Sequence, residues 1–148
     1  MRVRRLPTAL LSVVLGGLAF AGSAMACSCA PQAPAESLRE ADAAIVGRLV
    51  SVSPHGRLMA EYRYEVLRVY RGTGIERGAT LAVRSARRGA ACALPRRLER
   101  SYGLFLLRYN GGWHGGLCRV ISPRRLAQTA QNQALAAADS GAGLRCLL

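Results

Sequence analysis

Two cysteines one residue apart, Cys27 and Cys29 in "CSCAPQ", constrain this chain more than any other feature. At that spacing they cannot easily bond to each other, so each must reach a distant part of the chain. They follow a leader pattern. The basic "MRVRR", the apolar "LPTALLSVVLGGLAFAG" and the small-residue Ala24-Met25-Ala26 read as a secretory signal peptide over residues 1–26, with cleavage leaving Cys27 as the new N-terminus. That apolar stretch is too short to serve as a membrane span, and nothing later in the chain is apolar for long enough. The expected product is a soluble exported protein, secreted or periplasmic, and residues 27–148 suffice for one domain with a single core.

All five cysteines (Cys27, Cys29, Cys92, Cys118 and Cys146) lie after the leader, and an oxidising compartment makes disulfides the default for at least four of them. The absence of a Cys-x-x-Cys pair and the presence of only two histidines disfavour a structural zinc site. Every basic residue is Arg. Setting aside the three leader arginines lowers the formal charge from +13 to +10. Such an excess attracts polyanions, or it follows from an Arg-, Ala- and Gly-rich composition of the kind GC-rich bacterial coding produces.

The local patterns are those of a mainly β domain. "PAESLREAD" predicts a short helix at 34–42, with Pro near its start and acids in its first turn. "AAIVGRLVSV" (43–52) is nearly continuously apolar. "EYRYEV" alternates, with Tyr62, Tyr64 and Val66 on the inward face and Glu61, Arg63 and Glu65 on the other. The apolar phase switches at Leu67 and Val69, which predicts a bulge or a corner. "RGTGIERG" reads as a turn and "ATLAVR" as a third strand with Ala79, Leu81 and Val83 inward. "SYGLFLLRY" reads as a fourth strand, "NGGWHGG" as a turn and "LCRVI" as the fifth strand. "SPRRLAQTAQNQALAAAD" begins a closing helix. Five such strands make a poor sandwich and a good small closed barrel.

These residues carry a resemblance. "CSCAPQAPAESLREADAAIVGRLVSV" resembles the opening of the tissue inhibitors of metalloproteinases, and "YRYEVLRVYRG", "CALP" and "YGLFLLRYNGGWHGGLC" resemble later segments of the same family. The resemblance covers residues 27–122, leaving the helix and tail at 123–148 outside it. It implies a netrin-like domain, a five-stranded OB-type barrel stapled by Cys27–Cys92 and Cys29–Cys118, each closing a long loop worth roughly 4 kcal/mol. Two departures accompany it. No cysteine stands near "SLREAD" to make the family's third disulfide, which leaves Cys146 without an inherited partner, and the second, cysteine-rich domain of the animal proteins is absent.

The resemblance further implies inhibition of a zinc metalloproteinase. The α-amine and carbonyl of Cys27 would chelate the target's catalytic zinc at its open position. Ser28 would enter the specificity pocket, and Cys29, Ala30 and Pro31 would lie along the cleft as an inhibitory ridge. The inhibitor needs no cofactor or metal of its own. The alternative is a non-inhibitory netrin-like module that binds an anionic envelope or extracellular partner. Lipidation of Cys27 is disfavoured, because "AMAC" lacks the Leu of a lipoprotein box.

Six arginines around Cys92 (Arg84, Arg87, Arg88, Arg96, Arg97 and Arg100) form a candidate site for an acidic polymer or lipid head groups. Nucleic acid is disfavoured, since Tyr62 and Tyr64 point inward and Trp113 stands alone in a turn. No enzyme is expected. His55 and His114 read as exposed loop residues, and the acids form no pair.

Overall fold

The structure is a computed structural model that describes residues 27–30, 32–88 and 92–143, with side chains as far as Ser140. Residues 1–26, the expected leader, lie outside the described residues, as do Pro31 and Cys146. Among the described residues no helix is long and apolar enough to cross a membrane.

Helix α1 (Pro34–Glu40) starts on Pro34 and ends where Ala41 turns to extended backbone, two residues earlier than expected. Strand β1 (Ala43–His55) pairs antiparallel with β2 (Met59–Arg71), and β2 pairs antiparallel with β3 (Thr80–Ala86). Strand β4 (Ser101–Tyr109) lies on the other side of β1, and β5 (Gly112–His114) fills the gap between β4 and β3, parallel to β3. The pairings therefore close into a ring of five strands. A 3-10 turn (Leu117–Arg119) leads to β6 (Val120–Ile121), which hangs on β4, and helix α2 (Pro123–Gly143) closes the described chain.

The fifth ring strand is "GWH" and not "LCRVI". Only Asn110-Gly111 turns the chain, with φ of 46° and 72°. Two consecutive left-handed residues make the tight hairpin turn that Asn-Gly favours, so the chain is already paired again at Gly112. "LCRVI" instead divides into the 3-10 turn and the two-residue β6.

The ring encloses one core of Ile45, Leu49, Tyr62, Tyr64, Val66, Val83, Leu94, Tyr102, Leu104 and Leu106. A second cluster lies outside the ring, where Ala44 and Val46 of β1 and Phe105 of β4 meet Leu38 of α1 and Leu126 of α2. Burial on both faces explains the unbroken apolar runs of β1 and β4. Gly103 permits the close approach of the second layer. A Cβ there would stand 3.1 Å from both the Ile121 carbonyl oxygen and the Leu126 Cβ.

The phase switch in β2 is a pair of bulges. Ile45 pairs with Val69 and Val46 with Arg68, while Ala44 pairs with Arg71 and Gly47 with Val66, so Tyr70 and Leu67 have no partners on β1. Those two extra residues turn outward and pack on the second cluster, and Val69 stays against the ring core. In β3, Leu81 and Val83 are inward as expected. Ala79 is not: it lies exposed before the strand, and its carbonyl accepts the Val66 N–H at 2.9 Å.

Asp42 docks α1 onto β4. Its N–H donates to the Leu106 carbonyl at 2.9 Å, and its carboxylate accepts the Arg108 N–H at 2.7 Å. Ser122 caps α2 by accepting the Arg125 N–H at 3.3 Å. The Gln133 side chain reaches from α2 to the Ala35 carbonyl of α1.

Candidate functional site

Both disulfides of the N-terminal segment are formed, Cys27–Cys92 and Cys29–Cys118, each with Cα atoms 5.2 Å apart and with sequence separations of 65 and 89. The crosslinks interleave along the chain and converge in space, with the Cys27 and Cys118 sulfurs 4.0 Å apart. The sulfurs of Cys27, Cys29 and Cys118 all lie within 4.8 Å of one another. This cluster has the compactness of a metal site but not its chemistry, because sulfurs joined in disulfides are not thiolates.

Cys27 is half-buried, and Ser28, Cys29 and Ala30 are exposed. The segment is thus fixed at two points with its middle residue facing solvent. Its exit is tied down as well. Gln32 donates to Glu40 at 2.8 Å and accepts from the Ser37 hydroxyl at 3.2 Å, which holds the chain against α1.

The anchors beneath are shaped by local backbone. Cys92 adopts φ of 58°, in the left-handed region that non-glycine residues seldom enter. In that conformation its carbonyl accepts the Leu117 N–H at 2.8 Å, joining the two anchor loops directly. Beside them runs a groove of about 240 Å³, with Cys92, Leu107, His114, Gly116, Cys118 and Arg119 among its lining residues.

His114 is not an exposed loop residue. It is half-buried on β5, edge-on to the Tyr109 ring at a centroid distance of 5.8 Å. His114 Nε2 and Arg119 Nη1 are buried without a hydrogen-bond partner among the described residues. Sequence reasoning missed both as neighbours of the ridge, since only the hairpin and the 3-10 turn bring them to it. Trp113 likewise belongs to β5, packs against the ring core, and carries the Arg108 guanidinium 5.2 Å above its ring. His55 is exposed at the end of β1.

The six arginines around Cys92 have different surroundings. Arg96 donates to the Tyr62 hydroxyl at 3.2 Å and to the Arg87 carbonyl, with its guanidinium 5.9 Å from the Tyr62 ring centroid. Arg84 lies on β3 opposite His114, and Arg88 is exposed. Arg97 and Arg100 line a separate groove with Tyr102 and Pro123. Tyr62 and Tyr64 are fully buried, as their alternation implied. No protein-family model and no curated protein matches this chain.

Proposed function

We propose that the chain is an exported inhibitor of zinc metalloproteinases, of the kind the tissue inhibitors represent, built on an OB-type netrin-like barrel. The barrel reading is supported by the closed five-strand ring, in which β5 returns between β3 and β4 in the Greek-key manner. Export is supported by the two disulfides, which suit an oxidising compartment.

One observation carries the inhibitory reading: Ser28 is exposed between two cysteines that are both bonded to the body of the domain. A segment held in that way loses little entropy on binding. With cleavage after Ala26, the Cys27 amine and carbonyl close a five-membered chelate on the target's zinc and displace its water. Ser28 then occupies the specificity pocket, and Cys29, Ala30 and Pro31 follow the cleft.

The test is to add one Ala before Cys27. The addition keeps both disulfides and every side chain but turns the amine into an amide, a poor zinc ligand. Across a panel of secreted zinc metalloproteinases, inhibition by the native chain should fall by orders of magnitude in the extended one, with thermal stability unchanged. Equal inhibition by the two forms would reduce Cys27 to a staple.

A further inference from the structure

The bonded cysteines stand close enough together to hold a metal ion once they are thiols. In a tetrahedral zinc site with Zn–S bonds of about 2.3 Å, the sulfurs lie about 3.8 Å apart. The Cys27 and Cys118 sulfurs, which are not bonded to each other, are 4.0 Å apart, and those of Cys27, Cys29 and Cys118 all lie within 4.8 Å of one another. Cys92 is bonded to Cys27, so its sulfur stands at the edge of the same cluster. Two disulfides do not require this, since each asks only that its own two sulfurs meet.

The segments that carry these cysteines are held together by more than the disulfides. The Cys92 carbonyl accepts the Leu117 N–H at 2.8 Å, and the Arg119 N–H donates to the Gly116 carbonyl at 2.9 Å, which fixes the turn bearing Cys118. Gly116 permits that approach, for a Cβ there would stand 3.2 Å from the Cys92 carbonyl oxygen. Gln32 ties the exit of the N-terminal segment to α1 through Glu40 and Ser37. None of these bonds requires an oxidised sulfur. A cation is in place as well. Arg119 lines the same groove as Cys92 and Cys118, and its Nη1 is buried without a partner among the described residues. Beside disulfides that charge has nothing to compensate, whereas beside thiolates it stabilises their negative charge.

We propose that the reduced chain binds a zinc ion of its own through the thiolates of Cys27, Cys29, Cys92 and Cys118, where the two disulfides later form. The ion displaces a proton from each thiol and is held as a dianionic tetrathiolate, which Arg119 partly offsets. Two molecules of a disulfide oxidant, each leaving as a dithiol with two electrons and two protons, then join Cys27 to Cys92 and Cys29 to Cys118 and free the ion. Zinc and disulfides are thus alternative staples of one ridge. The ion holds Cys27 and Cys29 against the ring before oxidation, and the oxidised sulfurs no longer bind it. This ion is distinct from a target enzyme's zinc, and the site does not rest on the inhibitory reading.

The test uses the full chain, reduced with a phosphine, freed of it under nitrogen and titrated with cobalt(II) as a coloured stand-in for zinc. One equivalent should give the intense ligand-field absorption of a tetrahedral cobalt thiolate, zinc should bleach it, and the oxidised chain should give none. C27S, C29S, C92S and C118S should each weaken zinc binding at least about 100-fold, and C146S should stay within about threefold. R119Q should weaken it about tenfold at neutral pH and move cobalt uptake to higher pH. Circular dichroism follows the fold. Zinc should raise the urea midpoint of the reduced chain or, where that chain is unfolded by itself, restore its β-sheet signal. Uptake without either gain would place the ion on the thiols of an unfolded chain and overturn the site. Loss of binding in C146S, or an unchanged affinity in any of the four other serine variants, would break the ligand set.

Discussion

Tyr64 is the residue whose physics is plainest. Its ring fills the core edge-on to Tyr102 at 6.4 Å, while its hydroxyl is buried without a partner among the described residues. A buried hydroxyl with no hydrogen bond is a net cost, so Tyr64→Phe should leave stability unchanged or raise it by about 1 kcal/mol in urea denaturation. Burial, aided by the neighbouring Tyr102 and Tyr62, pushes the Tyr64 phenol well above the ordinary tyrosine range. The folded chain then keeps a proton that the unfolded chain gives up. Stability should decline as pH rises above about 10, and Tyr64→Phe should flatten that decline. At the other end of the proposed mechanism, the free α-amine must lose its proton to bind zinc. With an unperturbed pKa near 8, inhibition by the native chain should weaken as pH falls below that value, beyond any change in the enzyme itself.

At the level of elements, α2 is held by few contacts of high quality. Leu126 is fully buried beneath it, and Gly103 leaves the space it fills. Leu126→Ala should cost about 2–5 kcal/mol in chemical denaturation. Gly103→Val should cost about 1–3 kcal/mol, because Ile121 and Leu126 stand where the new side chain must go. The elements differ in how openly their residues announce them. β1 and β4 are legible because burial on two faces leaves an unbroken apolar run, and β2 because Tyr62, Tyr64 and Val66 alternate until the bulges at Leu67 and Tyr70. β5 is hidden. Its three residues sit among glycines whose turn chemistry is real for Asn110-Gly111 and misleading for Gly112, and although β4 is its hairpin neighbour, its other partner, β3, is distant in sequence. The same difficulty applies to the arginines, since nearness in sequence to Cys92 leaves Arg84 on β3 opposite His114 and Arg97 on a groove with Tyr102.

At the scale of the molecule, the ring and the two crosslinks divide the work of stability. Replacing both Cys29 and Cys118 by Ser should lower stability by several kcal/mol, about 4 in the chain-entropy account, and reduce folding yield, as measured by denaturation of the purified variant. The interleaved disulfides also determine how the domain would respond to tension. Once β6 and α2 have peeled away from β4 and β1, a force applied between the Cys27 end and α2 passes through the Cys29–Cys118 bond and bypasses the span between them, so the ring then bears none of the load. Single-molecule pulling should lengthen only the segment beyond Cys118. Adding reductant should release roughly 30 nm of further contour length. Such an extension without reductant would mean that the crosslink is absent. To an extending force the oxidised domain is a short fixed link with an elastic tail.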